Sequence, residues 1–298
     1  MHEAGVHLLE LRWQMEQERL ERALQRLKSF EPEDGYFVAF SGGKDSQCVY
    51  HLAKMAGVKF DAHYSVTSVD PPELIQFIRK NYPDVIFDYP RDKDGKRITM
   101  WNLIPTMGMP PTRLVRYCCN TLKESSGIGR VTVTGVRWAE SAKRAAIHNI
   151  AEIFGKPKTT RNIADEMNAS YDASNDKKLV LNDDNDENRR MVEHCYRTQK
   201  TMVNPIVDWS DADVWDFLNN VAKVEHCCLY DQGYERIGCI GCPMADRQRI
   251  KQFARYPQYK HNYLKAFERM LARNEANGTI SKREWRTPED VMNWWINK

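Results

Sequence analysis

The chain has 298 residues, 42% of them hydrophobic, enough for one substantial core plus an extension. Its 44 basic and 41 acidic residues leave a formal charge of +3, so bulk electrostatics neither demands nor excludes a polyanionic partner. No segment approaches the roughly 18 uninterrupted apolar residues of a membrane span, and the charged amino terminus lacks the apolar centre of a signal peptide. A soluble, cytoplasmic protein with no membrane partner is expected.

Residues 6 to 30 place Leu9, Trp13, Leu20, Leu24 and Leu27 among Glu and Arg at helical spacing, which predicts an amino-terminal helix. Pro32 to Gly35 ends it, and Tyr36 to Phe40 reads as a short buried strand. Ser41 to Asp45 is the turn leaving that strand, and residues 46 to 56 resume helical spacing. Lys59 to Thr67 and Val85 to Tyr89 read as strands, with a helix over Pro71 to Tyr82 between them. This alternation predicts an α/β, Rossmann-like parallel sheet flanked by helices.

Residues 99 to 126 are expected to form helical pieces around Cys118-Cys119, and Val131 to Val136 another buried strand. That strand ends in Gly135-Val136-Arg137, at the end of an open sheet where ligands gather. The stretch from Asp172 to Arg190 is rich in Asn and Asp, which favour loops, and is expected to lie in an insertion over about 156–200. Order is expected again at Val203 to Ile206, followed by a helix capped by Ser210 and carrying Val214, Trp215 and Leu218. A cysteine-containing loop over 221–243 and a long helical tail complete the chain. The expected division is an amino-terminal helix (1–35), a nucleotide-binding domain (36–245) and a helical extension (246–298).

Ser41-Gly42-Gly43-Lys44-Asp45-Ser46 lies where a strand passes into a helix. Two glycines there let backbone N–H groups close on phosphate oxygens at the positive end of the helix. Lys44 can neutralise phosphate and Ser41 and Ser46 can donate hydrogen bonds, while Asp45 either holds Mg²⁺ or organises the loop. The spacing is not that of a Walker motif, which argues against a kinase or GTPase. Two adjacent glycines alone would be read as an ordinary turn.

The six-residue string resembles the signature of the PP-loop adenine nucleotide α-hydrolase superfamily. Further blocks are similar to the phosphoadenosine-phosphosulfate-reductase-like family: Arg116 to Cys119 with Lys123; Gly135 to Arg137 with Glu140, Ser141 and Arg144; Asn204 to Ile206 with Trp209 and Asp213 to Trp215; and Leu229-Tyr230 with Gly233, Arg236 and Gly238 to Pro243. The resemblance spans about 36 to 245. It implies ATP cleavage between the α and β phosphates, with Lys44, Asp45 and Ser46 in catalytic roles. Gly135, Arg137 and Arg144 join the loop as nucleotide contacts, Gly135 packing on adenine.

Eight cysteines, among them the pairs Cys118-Cys119 and Cys227-Cys228 and the spacing Cys239-x-x-Cys242, suit a reducing compartment where thiolates bind metal. Four thiolates suit a [4Fe–4S] cluster or zinc, and the resemblance favours the cluster. Relatives of the sulfonucleotide reductases imply Cys118, Cys119, Cys239 and Cys242 as ligands. Relatives of the DNA-phosphorothioation ATP pyrophosphatases imply Cys118, Cys239 and Cys242 with a cysteine such as Cys227. Cys48 is expected to be a buried structural thiol, and Cys195 and Cys228 are not assigned.

Sulfonucleotide reductases use a cysteine near the carboxyl terminus, and this sequence has none after Cys242. With the Gly-Gly-Lys-Asp loop, that favours an ATP pyrophosphatase that adenylylates an acceptor for sulfur transfer. A reductase producing sulfite and a catalytically silent nucleotide-binding partner protein are the alternatives. A sulfur donor such as a cysteine desulfurase and a homodimer are the implied partners. A DNA or RNA substrate draws support from residues 247 to 273, where Arg247, Arg249, Lys251, Arg255, Lys260, Lys265, Arg269 and Arg273 interleave with Phe253, Tyr256, Tyr259, Tyr263 and Phe267. The competing reading is an amphipathic helix with those rings in the core.

Overall fold

The computed structural model describes residues 2–155, 157–172, 177–245, 248–278 and 285–297, with backbone only for 2–13, 157 and 158. The side chains of Leu9 and Trp13 and all of Arg247 therefore lie outside the described residues. The chain forms two compact units interleaved in sequence: Met1–Tyr64, Asn81–Ile86 and Gly127–His226 in the first, and Ser65–Lys80, Phe87–Ser126 and Cys227–Lys298 in the second.

The strands are β1 (Tyr36–Ala39), β2 (Phe60–Ser65), β3 (Ile86–Asp88), β4 (Val131–Val133), β5 (Ala151–Phe154), β6 (Tyr171–Asp172), β7 (Lys178–Leu181) and β8 (Lys200–Val203). They form one sheet in the order β3-β2-β1-β4-β8-β5-β7-β6. The pairs β1/β2, β1/β4 and β4/β8 are parallel, while β5/β8, β5/β7 and β6/β7 are antiparallel. A parallel half of the expected kind is thus extended by an antiparallel ribbon. Val38, Val131, Val133, Ala151, Ile153, Leu181 and Val203 are fully buried along it. Each buried aliphatic side chain larger than Ala contributes about 1.5–3 kcal/mol relative to exposure.

In the first unit, helix α1 (His2–Ser29) lies against α2 (Lys44–Ala56), whose Cys48, Val49 and Leu52 are fully buried. The Arg26 guanidinium fastens α1 through Asp208 at 2.8 and 3.0 Å and the Pro205 carbonyl at 2.9 Å. The Asn- and Asp-rich stretch is not the loop that its composition predicts. It contains β7, buried at every position, and α8 (Asp186–Cys195), while α7 (Pro157–Glu166) precedes it. Its amides serve as caps: Asn185 accepts from the Asn188 N–H, and buried Asn188 holds Ser170 and Asp183.

The second unit is mainly helical: α3 (Pro72–Asn81, Asn81 itself in the first unit), α4 (Met100–Met107), α5 (Tyr117–Leu122), α10 (Gln248–Arg255), α11 (Pro257–Ala276) and α12 (Pro288–Ile296). Helices α6 (Ala142–Ile147) and α9 (Asp211–Asp216) belong to the first unit. Phe253, Tyr256, Tyr263, Phe267 and Trp295 join Leu103, Ile104 and Ile240 in one core. Four of the five rings named over residues 247 to 273 are therefore core side chains, and Tyr259 packs against them partly buried. Arg249 is likewise buried, closing the end of α12 through the Trp295 and Ile296 carbonyls. Among the described residues no helix is long and apolar enough to cross a membrane.

Candidate functional site

The loop after β1 brings the whole Ser41–Ser46 string to the amino-terminal end of α2. Gly42 adopts φ +74°, a left-handed conformation that favours glycine, and this turns the chain into the helix. Gly43 is the N-cap and gives the helix no side-chain cap, which leaves the positive helix end facing the loop. Ser46 donates to the Gly43 carbonyl at 2.8 Å, and Ser41 donates to Ser46 at 3.2 Å. The hydroxyls thus bind the loop to itself.

Two cations and two carboxylates meet beside this turn. Lys44, only 6% exposed, stands 3.1 Å from Asp211 and 3.7 Å from Asp45. Arg137 is buried and donates to Asp45 at 2.7 Å, to Asp211 at 2.8 Å and to the Trp209 carbonyl at 3.1 Å. Partial burial favours the neutral form of Asp211, but hydrogen bonds from Lys44 and Arg137 hold it below the usual carboxylate range. Of the two roles open to Asp45, its geometry is that of organising the loop. Arg137, itself buried, holds the loop through Asp45.

Gly135 also faces the loop. A Cβ there would stand 2.9 Å from the Asp45 backbone, so the loop packs directly on this glycine. Arg144, on α6, donates to Glu140 at 2.7 Å and stays partly exposed. Asp211 was not among the expected site residues. It follows the N-cap Ser210, and nothing in the sequence separates it from any acidic residue in a first helical turn.

Within the second unit, Cys118, Cys119, Cys239 and Cys242 lie near one another. A hydrogen bond between Cys118 and Cys119 raises the first thiol and lowers the second; burial and the neighbouring Cys239 and Cys242 add to the rise at Cys118. Lys123 is held in its charged form chiefly by Cys239. Burial pushes Cys239 up while Lys123 opposes it, and its Sγ is 3.6 Å from the Thr67 hydroxyl. Cys227 has other company: burial first, then Cys228 and Glu73, push its thiol up to about 11. Cys48 is fully buried on α2, and burial pushes Cys195 up to about 11. Among the described residues no three His, Cys, Asp or Glu side chains are gathered closely enough for one metal ion. The soft, four-thiol donor set matches the chemistry of an iron–sulfur cluster, whose separate irons each take one thiolate.

A cavity of about 420 Å³, lined by Lys28, Glu31, Val131, Arg189, Glu193 and Arg197, opens at the amino-terminal end of β4. Ligands of open α/β sheets sit at the other end of the strands.

Two uncharacterized proteins of Methanocaldococcus jannaschii are each 25% identical to the chain, over 236 and 269 residues, or 78% and 84% of it. These matches cover 47% and 45% of the two proteins, so the chain spans about half the length of the curated relatives it matches. A stretch of 43 residues, 14% of this chain and 16% of the other, is 42% identical to adenosine 5'-phosphosulfate reductase of Allochromatium vinosum. Among solved structures, phosphoadenylyl-sulfate reductase of Candida auris matches with a TM-score of 0.43 at 13% identity, covering 73% of this chain and 87% of that one. FMN adenylyltransferase of Candida glabrata matches with a TM-score of 0.41 at 15% identity, covering 76% and 64%. Residues 35–245 match the phosphoadenosine phosphosulfate reductase domain, and the chain belongs to that family.

Proposed function

We propose that the chain is an ATP pyrophosphatase that adenylylates an acceptor oxygen and prepares it for sulfur transfer. The observation that carries this reading is the loop itself, a glycine turn at an uncapped helix end with the Lys44 ammonium beside it. That arrangement suits the triphosphate end of Mg²⁺-bound ATP, with Lys44 and the helix end stabilising charge on the departing pyrophosphate. Asp211 and Asp45 then hold the two cations in place until phosphate takes over their role.

The second unit would handle the sulfur. Cys118, Cys119, Cys239 and Cys242 would hold a [4Fe–4S] cluster, which when bound supplies sulfur or electron chemistry. A nucleic-acid acceptor of the DNA-phosphorothioation kind loses the support of the tail aromatics, since those rings are in the core or packed against it.

The test presents the anaerobically purified chain with two substrates in parallel. With ATP and Mg²⁺ it should yield AMP and pyrophosphate, and Lys44→Ala should suppress both. With adenylylsulfate or phosphoadenylylsulfate and a thiol reductant it should yield no sulfite. Sulfite without pyrophosphate would establish the reductase alternative. Nucleotide binding without either product would establish the silent partner.

A further inference from the structure

The antiparallel ribbon of the first unit contains a buried charged cluster that the nucleotide loop does not use. Glu152 on β5 is fully buried and accepts from the Asn204 amide at 2.8 Å, from His148 Nδ1 at 2.6 Å and from Lys178 Nζ. Lys178, on β7, also stands 3.2 Å from His148 Nδ1. Because Lys178 supplies the counter-charge, the carboxylate is paired whether or not the imidazole carries a second proton. Asn204 accepts in turn from the Thr134 hydroxyl at 2.5 Å, and Thr134 directly precedes Gly135. One chain of hydrogen bonds therefore runs from the segment after β4, which packs on Asp45, to His148.

The sheet register places this cluster at the ligand end. Val38 pairs with Val133, Val133 with Val203 and Val203 with Ala151, so the four residues share a row. The nucleotide loop, Gly135, Asn204 and His148 all emerge beyond that row on one edge. Three steps of about 4.8 Å across the sheet separate β1 from β5.

Both neighbours of His148 sit at Nδ1, and its side chain remains 18% exposed. Where Nδ1–H donates to the buried Glu152 carboxylate, Nε2 is the acceptor. The Glu152–His148 pair has the form of a base with its orienting group.

We propose that His148 is the general base for the acceptor, an inference that rests on the pyrophosphatase reading. The acceptor oxygen attacks the α-phosphorus of ATP and forms an oxygen–phosphorus bond. The bond from that phosphorus to the β-phosphate oxygen breaks, and pyrophosphate leaves with the electron pair. The proton of the acceptor oxygen passes to His148 Nε2, while Glu152 holds the ring through Nδ1. The arrangement selects acceptors whose attacking oxygen bears a proton, such as a hydroxyl, over carboxylate or phosphodiester oxygens.

The probe is ATP labelled at the α-phosphate, with Mg²⁺ and with water as the acceptor, measured on the full chain. In the parent, AMP formation should show an acid limb, with Glu152 and Lys178 the titratable groups facing His148. His148→Ala should lower the rate by about 100-fold or more, remove that acid limb and leave ATP affinity unchanged. Added imidazole should restore part of the rate. His148→Gln keeps a donor for Glu152 but cannot carry the proton, so it should show the same loss if the alanine variant does not fold. A folded variant with parental rate, or a lost rate that imidazole does not restore, overturns the proposal while the pyrophosphatase reading stands. Absence of AMP from a parent protein that binds ATP overturns both.

Discussion

A carboxylate beside a phosphate site repels the ligand unless a cation shares it, and in this loop two cations share two carboxylates. The balance depends on Asp45 keeping its place, because Asp45 both meets Arg137 and fills the space over Gly135. Gly135→Ala would drive a methyl group to 2.9 Å from the Asp45 backbone, which cannot yield as a flexible side chain does. The expected cost is about 1–3 kcal/mol of stability and about a tenfold or greater loss of ATP affinity, read by thermal melts and equilibrium binding. Lost stability with intact affinity would mean that this loop is not where ATP binds. The six loop residues were legible because their chemistry is carried by a contiguous string. The ion pairs of Arg137 were not legible, since its partners Asp45 and Asp211 come together only through the fold.

Helix α9 shows how an element's end can set a site. Ser210 caps it reciprocally with Asp213: the Asp213 N–H donates to the Ser210 hydroxyl at 3.2 Å, and the Ser210 N–H donates to the Asp213 carboxylate at 2.7 Å. That fixes the first turn, on which Asp211 reaches Lys44 and Arg137. Ser210→Ala should cost about 1 kcal/mol and also weaken ATP binding, because Asp211 is displaced with the turn. An Asp211→Asn control, which spares the cap, separates the two effects: similar binding losses in both variants support the linkage, and a loss in Ser210→Ala alone refutes it. The cap was legible from Ser210 and the apolar spacing beyond it. The antiparallel ribbon was not, because Asn and Asp favour turns in general, and only tertiary contacts decide whether those turns separate loops or join β7 to α8.

For the whole molecule, the tail does more than extend the fold, since its core side chains shape the turn that carries two of the four thiols. Gly241 has φ +76°, and a Cβ there would meet Phe253 at 2.7 Å. Its N–H donates to Gln252 at 2.9 Å, and the Tyr263 hydroxyl donates to the Ile240 carbonyl at 3.0 Å. The aromatic spacing of the tail was visible in sequence, but two uses of such rings, stacking on bases and packing in a core, share one periodicity. Packing sets Cys239 and Cys242 with Cys118 and Cys119, while Cys227 keeps to Cys228 and Glu73. Serine at Cys118, Cys119, Cys239 or Cys242 should therefore strip iron and labile sulfide from anaerobically purified protein, whereas Cys227→Ser should retain both. Metal and sulfide analysis with the visible spectrum decides the matter. Loss of iron from Cys227→Ser with retention in Cys119→Ser would exchange the fourth ligand, and a colourless parent with stoichiometric zinc would remove the cluster from the proposed chemistry.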